Sequence, residues 1–94
     1  MSKSILSNEK VCYVCGTPLN LHRHHVYAGV ANRKKSEQYG CWVYLCAYHH
    51  NMSNYAVHFN KQLDDKLKER CQLKFEEIYS HDKFMETFHK NYIK

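Results

Sequence analysis

Cys12 and Cys15, followed about thirty residues later by Cys46 and His49, have a spacing that metal ligands use and ordinary packing rarely produces. Each pair closes a tight knuckle whose two side chains converge on one ion. Two knuckles complete a tetrahedral set of three thiolates and one imidazole, the donor set of a closed structural zinc site. Between and beside them lie His24, His25 and His50, which that site does not use. Three further histidines next to a closed site suggest a second, open one where chemistry takes place. If a helical turn starts at Cys46, then Cys46 and His49 share a face and His50 points about 100° away, so one turn can serve two ions. Adjacent strand residues point to opposite sides, so His24 and His25 do not both ligate one ion on a regular strand. A division of labour follows, in which one imidazole binds metal and the other activates water.

His58 is the remaining candidate. A continuous helix from His50 would carry it about 12 Å along the axis. The turn formers Asn51, Ser53 and Asn54 allow the chain to fold it back as a further ligand, and a surface role before a helix cap is the alternative. His22, His81 and His89 show no paired partner in the sequence and read as ordinary surface or hydrogen-bonded residues. Arg33, Lys34 and Lys35 sit where they can follow backbone phosphates, or else form a solvated basic loop.

These side chains need elements to hold them. Val11 to Gly16 forms the first knuckle. Leu19 to Val26 reads as a strand, Tyr27 to Gly40 as a loop of small and basic residues, and Cys41 to Leu45 as the clearest strand. Asn60 is placed to cap a helix bearing Leu63, Leu67, Cys71, Phe75 and Ile78 at three- and four-residue steps. Ser80 is placed to cap a last helix with Phe84, Phe88 and Tyr92 on one face. The expected organisation is a loose or weakly docked N-terminal arm over 1–9, a zinc-stapled core over 10–60, and a helical extension of the same domain over 61–94.

Composition narrows the classes. A chain of 94 residues is one small domain, near the size where a core alone gives marginal stability and a structural metal helps. One Pro and three Gly leave no room for a low-complexity linker. No apolar run has the length of a membrane span, and the first residues lead into no signal-peptide segment, so no membrane partner and a cytoplasmic location are expected. Five cysteines, an odd number, suit metal better than a disulfide framework. A formal charge of +5 suits an anionic partner.

Taken together, Cys12-x2-Cys15, His24-His25 and Leu45-Cys46-x2-His49-His50 followed by His58 resemble the HNH (ββα-metal, His-Me finger) nuclease family. The closest pattern is the zinc-knuckle subtype of small phage and prophage recombination-associated nucleases. The similarity covers about residues 11 to 60. It implies a small α+β fold, a zinc-stapled ββα-metal core followed by two C-terminal helices. It also implies a metal-dependent DNA endonuclease of low sequence specificity, encoded by a phage or prophage and working in the bacterial cytoplasm. By this resemblance His24, His50 and His58 would hold one catalytic divalent metal (Mg2+, Mn2+, Ni2+ or Zn2+). His25 would be the general base, and the products would carry a 5′ phosphate and a 3′ hydroxyl. The chain departs from the family where many members place an Asn five residues before the second-knuckle Cys; Cys41 stands there, with Asn32 as a substitute. The other departure is His49 where a second Cys is commoner. Two other readings stay open: a non-catalytic zinc module binding nucleic acid or protein, and an inhibitor built on a decayed nuclease scaffold.

Overall fold

The computed structural model describes residues 3–27, 29–50 and 60–93. Along the chain run β1 (Leu21–His25), α1 (Val30–Tyr39), β2 (Trp42–Cys46), α2 (Ala47–His50), α3 (Lys61–Ile78) and α4 (His81–Phe88). The protein is a small α+β domain, and β1 and β2 pair antiparallel with Leu21 opposite Cys46 and His25 opposite Trp42. That register places Arg23 and His25 on one face with Tyr44 and Trp42, and His22 and His24 on the other with Leu45 and Val43.

The segment expected as a basic loop is a ten-residue helix, α1. The reason is propensity without periodicity. Arg33, Lys34, Lys35, Glu37 and Gln38 are straight-chain helix formers, but Ser36 is the buried residue of the helix, so no apolar stripe announces it. Gly29 and Gly40 bracket it, both at positive φ, of 100° and 75°. Ser36 anchors the helix to the end of β1: its hydroxyl donates to the Tyr27 carbonyl at 3.2 Å and accepts the Tyr27 N–H at 3.3 Å.

Both C-terminal helices start where expected. The Asn60 side chain accepts the Leu63 N–H at 3.2 Å, and the Ser80 hydroxyl accepts the Lys83 N–H at 3.0 Å. The last helix is shorter than its apolar pattern suggests. His89 turns left-handed at φ 64° and ends α4, so Tyr92 lies in the tail beyond it. Tyr92 still packs on Tyr27, with ring centroids 5.1 Å apart. Phe75, Phe84, Phe88 and Tyr27 share one buried apolar cluster with Val43 and Leu45. The Tyr27 hydroxyl is satisfied by the Lys68 carbonyl at 2.7 Å. Ile78, expected on the inner face of α3, is half exposed at 50 %.

The arm, expected to be loose or weakly docked, is docked over its described residues. Ile5 N–H donates to the Gly40 carbonyl at 2.9 Å, and the Ser4 hydroxyl donates to the Trp42 carbonyl. Ile5 and Leu6 pack against the core, so the arm buries apolar surface that its sequence does not display as a pattern. No helix of the described residues is long and apolar enough to cross a membrane.

Candidate functional site

The first knuckle is built by backbone bonds. Cys12 N–H donates to the Thr17 carbonyl and Gly16 N–H to the Cys12 carbonyl, both at 2.8 Å, with Gly16 at φ 78°. Tyr13 N–H then donates to the Tyr44 carbonyl at 2.8 Å, which hangs the knuckle on β2. The second knuckle is the step from β2 into α2. It starts where Ala47 N–H donates to the Asn20 carbonyl at 3.0 Å. The two turns bring Cys12, Cys15, Cys46 and His49 together, one ligand atom from each lying within 4.8 Å of the others.

Closer distances carry the chemistry. Cys15 Sγ and Cys46 Sγ are 3.7 Å apart, Cys12 Sγ is 3.7 Å from His49 Nδ1, and Cys46 Sγ is 3.3 Å from the same nitrogen. A tetrahedral zinc with ordinary bond lengths sets its sulfurs about 3.8 Å apart and its sulfur–nitrogen edges about 3.6 Å. The four residues are therefore close enough to bind one metal ion and compatible with a structural zinc. Burial pushes the Cys12 thiol up, but the backbone N–H groups of Cys46, Cys15 and Val14 outweigh it and bring it to about 6. A Thr17 backbone bond pulls the Cys15 thiol down, yet desolvation and the neighbours Cys12 and Cys46 carry it above the ordinary value. An ion binding here meets a ready thiolate at Cys12 and displaces a proton from Cys15.

The other histidines divide as strand alternation requires. His24 is buried at 8 % exposure on the face toward α2, its ring centroid 5.5 Å from that of His50. His25 points to the opposite face, where Nε2 meets Glu37 Oε2 at 2.7 Å. His50 faces away from the thiolate cluster as one helical turn predicts, and meets a residue the sequence reading set aside. His22 Nδ1 is 3.1 Å from His50 Nδ1. That separation suits one N–H···N hydrogen bond, and it equally suits two nitrogens each about 2.0–2.1 Å from a shared ion. The signal was available, since His22 and His24 are two apart on a strand and so share a face. Among the described residues no second group of three or more His, Cys, Asp or Glu ligand atoms draws within 4.8 Å. His58 lies outside the described residues.

His81 likewise has a partner, Glu76 at 2.8 Å, and His89 is the left-handed residue closing α4. Cys41, at the position where the resembled family often has Asn, is fully buried, and its neighbour Cys71, then burial, drive its thiol strongly upward. It belongs to the core and takes no part in the site. Asn32 lies in the first turn of α1 and is partly buried.

An open cleft of about 560 Å³ runs past the end of β1, lined by Arg23, His24, His25, Gly29, Val30, Arg33 and His50. It gathers His24, His25 and His50 with Arg33 and the N-terminus of α1, whose Gly29 cap makes no side-chain bond to the helix. Of the basic triplet, Arg33 alone lines this cleft; Lys35 is spent elsewhere, its ammonium donating to the Thr87 carbonyl at 2.7 Å. Helix formation explains the split, since consecutive residues of α1 point about 100° apart. Comparison with protein-family models, with curated proteins and with solved structures finds no match for this chain.

Proposed function

We propose that the protein is a metal-dependent DNA endonuclease with a zinc-stapled ββα-metal core, His25 acting as general base. The observation that carries this reading is the cleft itself. Two imidazoles from one face of β1 and from α2, a third from the other face, and an arginine all open into one concavity beside an uncapped helix N-terminus. A metal-binding module without catalysis has use for the thiolate cluster, but none for a second group of histidines turned into a cleft.

His24 and His50 offer imidazoles, a donor type suited to a divalent transition metal, with His58 added by the sequence pattern. When bound, that ion would supply Lewis-acid stabilisation of charge on a phosphodiester. The chain's own groups do the rest. Arg33 and the α1 N-terminus attract the phosphate and hold it against the cleft wall. His25, facing away from His24, removes a proton from the attacking water without giving up its position to coordination. The basic charge of +5 adds affinity that is electrostatic and indifferent to sequence.

The test is nicking of supercoiled DNA alongside a count of bound metals. His25→Ala should abolish nicking and keep both metals, whereas His24→Ala or His50→Ala should lose nicking and the second metal while the thiolate-bound ion stays. Full cleavage by His25→Ala would refute the mechanism and leave a non-catalytic zinc module as the better account.

A further inference from the structure

The residue His25 touches was absent from the sequence candidates. Glu37 sits on α1, directly after Ser36, which is bonded on both sides to Tyr27. Its Oε2 meets His25 Nε2 at 2.7 Å. An ionised carboxylate only accepts, so this bond keeps the ring hydrogen on Nε2 and leaves the lone pair on Nδ1.

Glu37 is itself held. Its other oxygen pairs with the Arg23 guanidinium. Arg23 lies over the Trp42 ring, 3.9 Å from its centroid, and within 5.9 Å of the Tyr44 ring centroid. Trp42 is 5 % exposed, so the relay Trp42–Arg23–Glu37–His25 runs from the packed interior to the cleft. The register puts Arg23, His25, Trp42 and Tyr44 on one face of the sheet, and α1 lays Glu37 across it. As an ion pair the arrangement adds little stability, since the His25 and Glu37 side chains are 21 % and 36 % exposed. Its value is geometric.

We propose that Glu37 is the positioning residue of His25. It fixes the ring's orientation and tautomer so that Nδ1 is the atom that accepts the proton from water. Cys41 cannot supply this hold, because it is buried against Cys71. The role passes to a carboxylate delivered by the helix that the sequence does not announce. This inference rests on the nuclease reading, in which His25 is the base.

The experiment uses the full, zinc-loaded chain with 15N-labelled histidine. A long-range proton–nitrogen correlation reads which ring nitrogen of His25 carries the hydrogen, and DNA nicking and metal content are measured on the same samples. Wild type should show the Nε2–H form. Glu37→Leu should lose that preference and lower kcat about 10²-fold with KM and metal content unchanged, the scale of a displaced catalytic group. Glu37→Asp keeps the charge beside Arg23, and with it the fold, but withdraws the carboxylate; it should fall between the two in both readouts and decides the matter alone if the Leu variant does not fold. An unchanged tautomer and rate in these variants would reduce Glu37 to a surface ion pair and overturn the proposal. Loss of the second metal in Glu37→Leu would make it a ligand, which also overturns it. A wild-type chain that never cuts DNA, but whose His25 tautomer follows Glu37, would sink the nuclease reading and leave Glu37's hold on the ring standing.

Discussion

If Cys12, Cys15, Cys46 and His49 hold a structural zinc, withdrawing it should unfold the domain, not merely loosen a turn. A chain of 94 residues has a total stability of about 5–14 kcal/mol. Structural zinc centres of this ligand type contribute about 10–16 kcal/mol of apparent binding free energy at neutral pH, which is folding free energy when the site is absent from the unfolded chain. The second figure matches or exceeds the first. Cys12 and Cys46 also belong to the same apolar cluster as Leu45, Leu67, Phe75 and Phe84, so the loss has no boundary at which to stop. The assay is thermal unfolding with and without a strong chelator, followed by near-UV circular dichroism. Trp42 and Tyr44 report there, with centroids 5.1 Å apart on the strand that leads to Cys46. The chelated protein should lack the near-UV signal at 25 °C and regain it with one equivalent of zinc. For a domain of this size 1 kcal/mol is about 4–8 °C in Tm. A chelated protein melting within about 4 °C of the loaded one would refute the reasoning.

Arg33→Ala should flatten the dependence of DNA affinity on log salt by about one unit, whereas Lys35→Ala should leave the slope alone and cost about 1 kcal/mol by orphaning the Thr87 carbonyl; salt titration and denaturant melts read the two effects. Gly40→Ala meets two obstacles, a backbone at φ 75° and a Cβ that would stand 2.1 Å from the Lys3 carbonyl oxygen. It should cost at least about 1–2 kcal/mol from the left-handed backbone alone, and should expose the Ile5 N–H to hydrogen exchange; slow exchange there in the variant would show that the arm does not depend on Gly40. Phe75→Ala should cost about 3–5 kcal/mol in chemical denaturation of the zinc-loaded chain, because the ring packs against Tyr39, Tyr79, Phe84 and Phe88. A loss below 1 kcal/mol would place the core elsewhere.

Residues whose chemistry depends on short spacing were legible in the chain. The thiolate and imidazole knuckles needed two turns and a strand pair, and the opposite aims of His24 and His25 followed from strand alternation alone. The caps at Asn60 and Ser80 were legible for the same reason, being local hydrogen bonds between a side chain and the next turn. Contacts made by elements without an apolar stripe were hidden. α1 buries Ser36, so its helical state and the delivery of Glu37 to His25 show no periodicity to read. The place of His22 beside His24 on one strand face was legible from alternation, but its contact with His50, 28 residues away, was not. The docking of Ile5 on Gly40 was likewise invisible, as it depends on a carbonyl exposed only once α1 has ended.

The register of β1 against β2 governs which lengths of chain this protein tolerates. One residue inserted between Leu21 and His24 would turn every following side chain to the other face of the sheet. His25 would then be presented toward α2, and His24 toward Glu37. No substitution at either histidine could produce that exchange of roles, yet a single three-nucleotide insertion would. The Asn20 carbonyl, which accepts from Ala47, marks the point from which the count must be kept. Upstream of it, Leu19 is 67 % exposed, and the turn at 17–19 can lengthen without moving the register. Variation in length should therefore collect before Asn20 and stop there.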